Sequence, residues 1–395
     1  MSAGKRSEKI TCGFIPLVDV ATLAAAKEIG FAAEEGLDLE LQRENSWSNI
    51  RDKLALGLID AAHMLAPMPI AMSLGLSRLH SQVITPFVLS VNGNVVGVSR
   101  RLARRIETQR GSAFFDDPVQ AGASLKSALE GRPLRVGVPW TFSMHALLVQ
   151  YWLGRCGFDL GRDVTMTISP PAFMAETLAA DEIDLFCGGE PWGSFAVENE
   201  VAELLLTGAS IWSFAPEKTL GLPIKLVEER GDAVDALLRA CWRAAQWASA
   251  PEHREPLAEL LSAPGYLDQP AELIERSLRG VLTVSTQGEI RRTPRLLELF
   301  DGAAPFPWRS QAAWIADRYA AEHRLSHEDK ANAESVFRPD LLRRALGPIY
   351  ADLPSSSSKI EGSMSAPTEA SSVFGTLTLG PDAFFDGAVF DPEAH

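Results

Sequence analysis

With 395 residues, 46% of them apolar, the chain exceeds one ordinary domain and carries enough hydrophobic side chains for the cores of two lobes. Its formal charge of -14, from 37 basic against 51 acidic residues, disfavours direct nucleic-acid binding, and any anion it holds must meet a local positive site. Charged residues, Gly or Pro interrupt every candidate for the roughly 18 apolar residues of a membrane span, which predicts a soluble globular protein with no membrane contact.

Met1 to Lys9 carry charges but no apolar signal-peptide core and no small-residue cleavage site, so a cytoplasmic location is expected. Residues 10–97 then alternate between strand-like and helix-like segments: Ile10 to Ile15, an alanine-rich helix from about Ala21 to Glu35, and the alternating run Leu37 to Leu41. Asn45 and Ser46 are capping types for a helix with Trp47, Ile50 and Leu54 on one face, ended by Gly57. Trp47 therefore sits in a first helical turn, beside backbone N–H groups that attract anions. A buried strand from Ile59 to Met64 follows, and Pro67 and Pro69 suit the first turn of another helix. The βαβαβ order predicts a parallel sheet with helices on its faces. Two more strands, Gln82 to Ser90 and Val95 to Ser99, are separated by the turn residues Asn92-Gly93-Asn94.

Residues 100–130 read as a charged, irregular surface excursion, after which the alternation resumes. Leu134 to Val138 is a strand, Ser143 to Arg155 a helix, Val164 to Ile168 a strand, Ala172 to Ala180 a helix and Ile183 to Phe186 a third strand running into Gly188-Gly189-Glu190-Pro191-Trp192. Ile59-Asp60 stands eight residues before Pro67, as Ile183-Asp184 stands eight before Pro191, which suggests two similar lobes facing across a cleft. A further strand spans Glu203 to Trp212, Ala215 to Lys218 reads as a loop, and the chain is then mainly helical to about Leu346. The expected organisation is a first lobe over 10–97, a second over 98–205 and a return to the first with added helices over 206–350. A flexible Ser/Pro/Ala-rich segment at 354–373 and a docked aromatic tail at 374–395 complete it.

No nucleophile elbow, phosphate loop, dinucleotide fingerprint or zinc-protease motif is present, so no enzymatic activity is expected. Cys12, Cys156, Cys187 and Cys241 are far apart and read as buried thiols rather than metal ligands. His63 reads as a satisfied core histidine. Trp47 and His145, each in the first turn of a helix, fit either core packing or contact with an anion. Gly188-Gly189 fits a tight turn or a close backbone approach to a ligand, and Lys218 in its loop reads as solvated unless it faces the cleft.

These residues also carry a resemblance. Gly13 to Leu17, Ser46-Trp47 with Ile50 to Leu54, Asp60 to Pro69, Asn92-Gly93-Asn94, Gly189 to Trp192, Pro216-Glu217-Lys218 and Phe384 to Gly387 resemble the nitrate/bicarbonate-binding proteins of NrtA/CmpA type. The resemblance implies a two-lobed α/β, periplasmic-binding-protein-like (type II) fold that holds one small oxyanion between its lobes. The anion contacts it implies are the indole N–H of Trp47, the amide of Asn94, the ring of His145, the backbone N–H of Gly189 and the ammonium of Lys218. No metal site or cofactor is implied; the ligand is nitrate or nitrite, because bicarbonate carries a hydroxyl that asks for an extra acceptor. With no export signal read at the start, the chain is similar to NasS-type cytoplasmic sensors, which control an ANTAR-type RNA-binding antiterminator of nitrate assimilation genes. The alternative is the substrate-binding component of an ABC-type nitrate or bicarbonate importer.

Overall fold

A computed structural model describes residues 7–77, 79–110 and 115–394. The first six residues, on which the reading of the N-terminus partly rests, lie outside this set, as do 111–114 of the expected excursion. The two large sheets are built mainly from β1 (Glu8–Phe14), β2 (Leu37–Arg43), β3 (Ala61–Leu65), β4 (Val83–Asn92), β5 (Asn94–Ser99), β6 (Leu134–Val138), β7 (Val164–Ile168), β8 (Leu185–Gly189), β9 (Ala202–Thr207) and β10 (Pro216–Pro223).

The first sheet runs β2, β1, β3, β10, β4 and then a short edge strand, Leu297–Glu298; the second runs β7, β6, β8, β5, β9. In each, three parallel strands from a βαβαβ unit are extended by antiparallel strands. Ile10, Cys12 and Phe14 of β1 pack in one core with the helices Ala21–Glu28 and Gly231–Ser249. The helix predicted to reach Glu35 is broken at Gly30, whose φ of 98° is the left-handed region that favours glycine.

The repeated Ile-Asp pair has a structural cause. Asp60 exchanges two hydrogen bonds with Thr11 of β1: its N–H donates to the Thr11 carbonyl, and its Oδ2 accepts from the Thr11 N–H, both at 2.8 Å. Asp184 does the same to Arg135 of β6, at 2.8 and 3.2 Å. Each carboxylate thus satisfies a strand amide that the ladder leaves open just before β3 or β8 begins.

The chain crosses between the sheets at Gly93, the one residue between β4 and β5. Asn92 (φ 62°) and Gly93 (φ 96°) both hold left-handed backbone there. The Asn92 amide donates to the carbonyls of Ser213 and Arg295, and its Oδ1 accepts from Ala215 N–H, so it ties this crossing to the return crossing from β9 to β10. The turn tripeptide is therefore an interlobe junction rather than a hairpin.

Several expectations are corrected. Residues 100–130 contain two helices, Arg100–Arg110 and Pro118–Leu129, the second capped by Asp117; Leu102, Ala103 and Ile106 face inward while arginines solvate the outer side. The strand expected to reach Trp212 ends at Thr207, which caps a short helix. Residues 280–296 do not return to the first lobe, since Leu282, Val284 and Leu296 pack with Val95 and Phe186 of the second. The segment 354–373 is anchored at its middle rather than free, although most of it is exposed: Lys359 pairs with buried Glu361 and Asp382, and Ser310 donates to Glu361 at 2.6 Å.

The aromatic tail spans both lobes. Phe384 stacks on Trp212 at 4.8 Å and on Trp314 of the helix Arg309–His323, and lies 5.4 Å from Tyr151 of the helix Met144–Arg155. Asp386 accepts from the Tyr151 hydroxyl at 2.8 Å and pairs with Arg155. No helix among the described residues is long and apolar enough to cross a membrane.

Candidate functional site

The sheets face each other along the carboxyl ends of their parallel strands, and the lobes touch there. Val18 N–H donates to the Glu190 carbonyl at 2.9 Å, and the Trp192 indole donates to the Pro16 carbonyl at 3.0 Å. Within this contact the five expected residues come together from five different elements.

Trp47 opens the helix Trp47–Ala55, where Ser46 accepts from Asn49 N–H as N-cap. Its ring is buried, and Lys218 Nζ lies 5.8 Å from the ring centroid. His145 is the second residue of the helix Met144–Arg155, capped by Ser143. Asn94 begins β5 directly opposite Gly189, the last residue of β8. A Cβ on Gly189 would stand 3.1 Å from Leu17 Cδ2 of the other lobe and 3.9 Å from His145 Nε2, so glycine is what lets the lobes approach here.

Lys218 departs most from expectation. Instead of lying in a solvated loop, it sits on β10, the central antiparallel strand between β3 and β4, with no exposure at all. An ammonium in such a place must be paired. Its Nζ is 2.7 Å from Asp19 Oδ2 and 2.8 Å from Glu217 Oε1.

Asp19 and Glu217 are therefore members of the site that sequence reasoning missed. Asp19 follows β1 at its carboxyl end, which is a position signal, whereas Glu217 offered only its adjacency to Lys218. Glu217 Oε2 accepts from the Asn94 amide at 2.5 Å, and Oε1 lies 3.2 Å from His145 Nδ1. That last contact is off the line of a hydrogen bond, so neither His145 nitrogen is hydrogen-bonded among the described residues. The same holds for Trp47 Nε1 and Asn94 Oδ1. His63 Nε2–H donates to Asp19 Oδ1 at 2.9 Å, but its buried Nδ1 has no hydrogen-bond partner among the described residues, so the histidine expected to be satisfied in the core is satisfied at one nitrogen only.

The charge states follow from the partners. Burial pushes the Asp19 carboxyl up, but Lys218 and His63 outweigh it and bring its pKa down to about 2. Burial lowers the Lys218 pKa, and Asp19 with Glu217 more than restores it, leaving a firmly held cation. His145 is driven well below its ordinary value by burial and by Lys218, and burial also lowers His63, so both rings are neutral. Burial raises Glu217 above the ordinary carboxylate value although Lys218 and Asn94 oppose it. The net charge of the cluster is thus zero with Glu217 protonated and negative by one with Glu217 ionised.

The cluster is tightly closed. Beside Asp19 and Gly93 lies a cavity of about 10 Å³, the room of about one water. A cavity of about 270 Å³ lined by Arg101, Arg132 and Arg135 lies at the amino ends of β6 and β8, on the opposite side of the second lobe from these residues. Groups of three or more metal-ligating side chains are absent among the described residues. Chemically the arrangement offers one fixed cation, neutral N–H donors and an apolar indole wall, which suits a small oxyanion.

Three comparisons bear on this geometry. The family described as NMT1-like matches residues 3–262. The chain is 30% identical to the nitrate/nitrite binding protein NrtA of Synechocystis sp. over 99% of this chain and 84% of that protein, and 28% identical to NrtA of Nostoc sp. over 98% and 83%. The crystal structure of the periplasmic nitrate-binding protein NrtA from Synechocystis PCC 6803 superposes with a TM-score of 0.83 at 27% identity, covering 98% of this chain and 96% of that one.

Proposed function

The chain belongs to the NMT1-like family and, within it, to the NrtA/CmpA-type anion-binding proteins, and on that premise we propose that it binds nitrate or nitrite between its lobes in the cytoplasm and reports the anion by controlling an ANTAR-type RNA-binding antiterminator. It has the two-domain α/β, periplasmic-binding-protein-like fold and is a binding protein rather than an enzyme.

One observation carries the ligand reading: Trp47, Asn94, His145, Gly189 and Lys218 converge at the lobe contact from five separate elements. In this reading the anion accepts from the Trp47 indole, the Asn94 amide, the His145 ring and the Gly189 backbone N–H, and Lys218, which it shares with Asp19, is the one cation that faces it. A planar monoanion needs about one such charge; a dianion asks for more. Titration calorimetry with sodium nitrate and sodium nitrite tests it, and absence of binding to both overturns it.

The regulatory reading rests on charge. At -14 the chain is poorly suited to touch RNA phosphates, so an effect on RNA passes through a protein partner. Nitrate shifts that complex only by preferring the closed, free protein over the partner-bound one. Co-purification with the antiterminator, with and without nitrate or nitrite, is the test: the anion releases the partner, and a complex indifferent to both overturns the sensor role.

A second reading, the substrate-binding component of an ABC-type importer, is favoured by the description of the superposed NrtA as periplasmic. Glu217 widens its ligand range, because a buried acceptor beside the donors is what the hydroxyl of bicarbonate asks for. Loss of nitrate uptake, with nitrate-dependent gene induction intact, in a strain lacking the protein supports the importer over the sensor.

A further inference from the structure

Resting on the reading of this cluster as the oxyanion site, we propose that Glu217 is a built-in competitor: as a carboxylate it occupies the donors an incoming anion needs, and nitrate displaces it by binding together with one proton.

A carboxylate is itself a planar oxyanion, and Glu217 is bound as one. Its Oε1 takes Lys218 at 2.8 Å with His145 Nδ1 at 3.2 Å, and its Oε2 takes the Asn94 amide at 2.5 Å. Lys218 and Asn94 are two of the five groups assigned to nitrate, His145 Nδ1 stands beside the carboxylate without a hydrogen bond, and the Glu217 side chain is wholly buried. An ionised Glu217 holds one donor of Lys218 and one of Asn94, and Asp19 holds a second of Lys218, so an entering nitrate has to compete with these carboxylates for the same two groups.

Charge enforces the same conclusion. The groups facing Glu217 are Lys218 on its own strand, Asp19 after β1, His145 on the second-lobe helix, Asn94 on β5 and the Cys187 thiol of β8; His63 on β3 reaches it through Asp19. Lys218 is the one cation among them, and Asp19 already neutralises it. A monoanion entering beside an ionised Glu217 would put three negative charges against one positive in a dry contact. Protonating Glu217 removes one of those charges, frees Lys218 and Asn94, and turns the carboxyl from an acceptor into an O–H donor toward the anion. The proton comes from solvent and ends on a Glu217 carboxyl oxygen. Linkage then makes nitrate affinity fall by up to about tenfold per pH unit above the free-state titration of Glu217. An anion that brings its own O–H, such as bicarbonate, donates to the carboxylate and needs no extra proton.

The test is calorimetry of the full chain with sodium nitrate at about pH 6 and about pH 8.5, each in two buffers of different ionisation enthalpy, so that protons taken up per nitrate are counted. The expected result is close to one proton at the higher pH, with affinity at least about tenfold weaker than at the lower. Glu217→Gln is expected to abolish the uptake, flatten the pH dependence and bind nitrate at the higher pH at least as tightly as wild type. Nitrate binding with no proton uptake and equal affinity at both pH values overturns the competitor role alone, as does a Glu217→Gln protein that keeps the wild-type pH dependence. No nitrate binding at either pH overturns the oxyanion reading and the inference with it.

Discussion

Asp19 Oδ2 stands 2.7 Å from Lys218 Nζ, with both side chains buried. Asp19 belongs to the connection after β1 and Lys218 to the return strand β10, so this pair joins the first segment of the first lobe to the strand that completes it after the second lobe has been made. Removing the lysine leaves two carboxylates unpaired in the interior. Lys218→Met is expected to lower unfolding free energy by about 3–5 kcal/mol, read from urea denaturation. A loss within error of zero would mean that the pair is not held dry.

Acid should unfold the protein through the same group. Asp19 is held at about 2 in the folded chain, whereas an unfolded Asp titrates near ~3.9, so between these values the unfolded state binds more protons and stability falls as pH falls. The associated loss is about 2 kcal/mol. His63 and His145, both lowered in the fold, act with the same sign below about pH 6.5, where the unfolded rings protonate. Glu217, raised in the fold, has the opposite sign: its folded form binds more protons, so it lowers stability as pH rises through the window above its unfolded value. Denaturation midpoints of wild type and Asp19→Asn across that acid range check this. Parallel curves for the two proteins would contradict it.

Gly189 makes a separate prediction, because its cost falls on lobe closure and not on either core. A methyl group there meets Leu17 at 3.1 Å across the contact. Gly189→Ala should weaken nitrate binding by about 1–3 kcal/mol through this crowding while leaving the unfolding midpoint nearly unchanged. A large drop in the midpoint would place the strain inside a lobe.

The tail offers a third handle. Phe384 is buried against Trp212, Trp314 and Tyr151, so Phe384→Ala should cost about 3–5 kcal/mol of stability by emptying that stack. The stack joins the helix that carries His145 to a helix packed on the first lobe. The variant should therefore also open the lobes, as a larger radius of gyration in solution scattering. An unchanged radius with reduced stability would limit the tail to a packing role.

What could be read from the sequence was what local chemistry fixes. The cap type at Ser46 and the helix start at Ser143 placed Trp47 and His145 in first turns, and the repeated Ile-Asp spacing marked two similar lobes, although the strand-edge bonds that cause it show only in the fold. The misreadings have the opposite character. Pro216-Glu217-Lys218 resembles a loop because charge and proline are rare in a central strand, and it is Asp19 and Asn94, each distant in sequence, that make those charges tolerable there. Residues 354–373 look flexible by composition, yet Lys359 finds Glu361 and Asp382 and orders them. Glu217 was the costliest omission, since it bears on whether the ligand is an anion alone or an anion with a proton.

The central claim is that one oxyanion is held at the lobe contact by these converging groups. Nitrate calorimetry on wild type, His145→Ala and Lys218→Ala tests it most directly. Saturable binding by wild type, weakened in each variant by roughly 1.5–3 kcal/mol, is the predicted result; affinity unchanged in both variants would contradict the account.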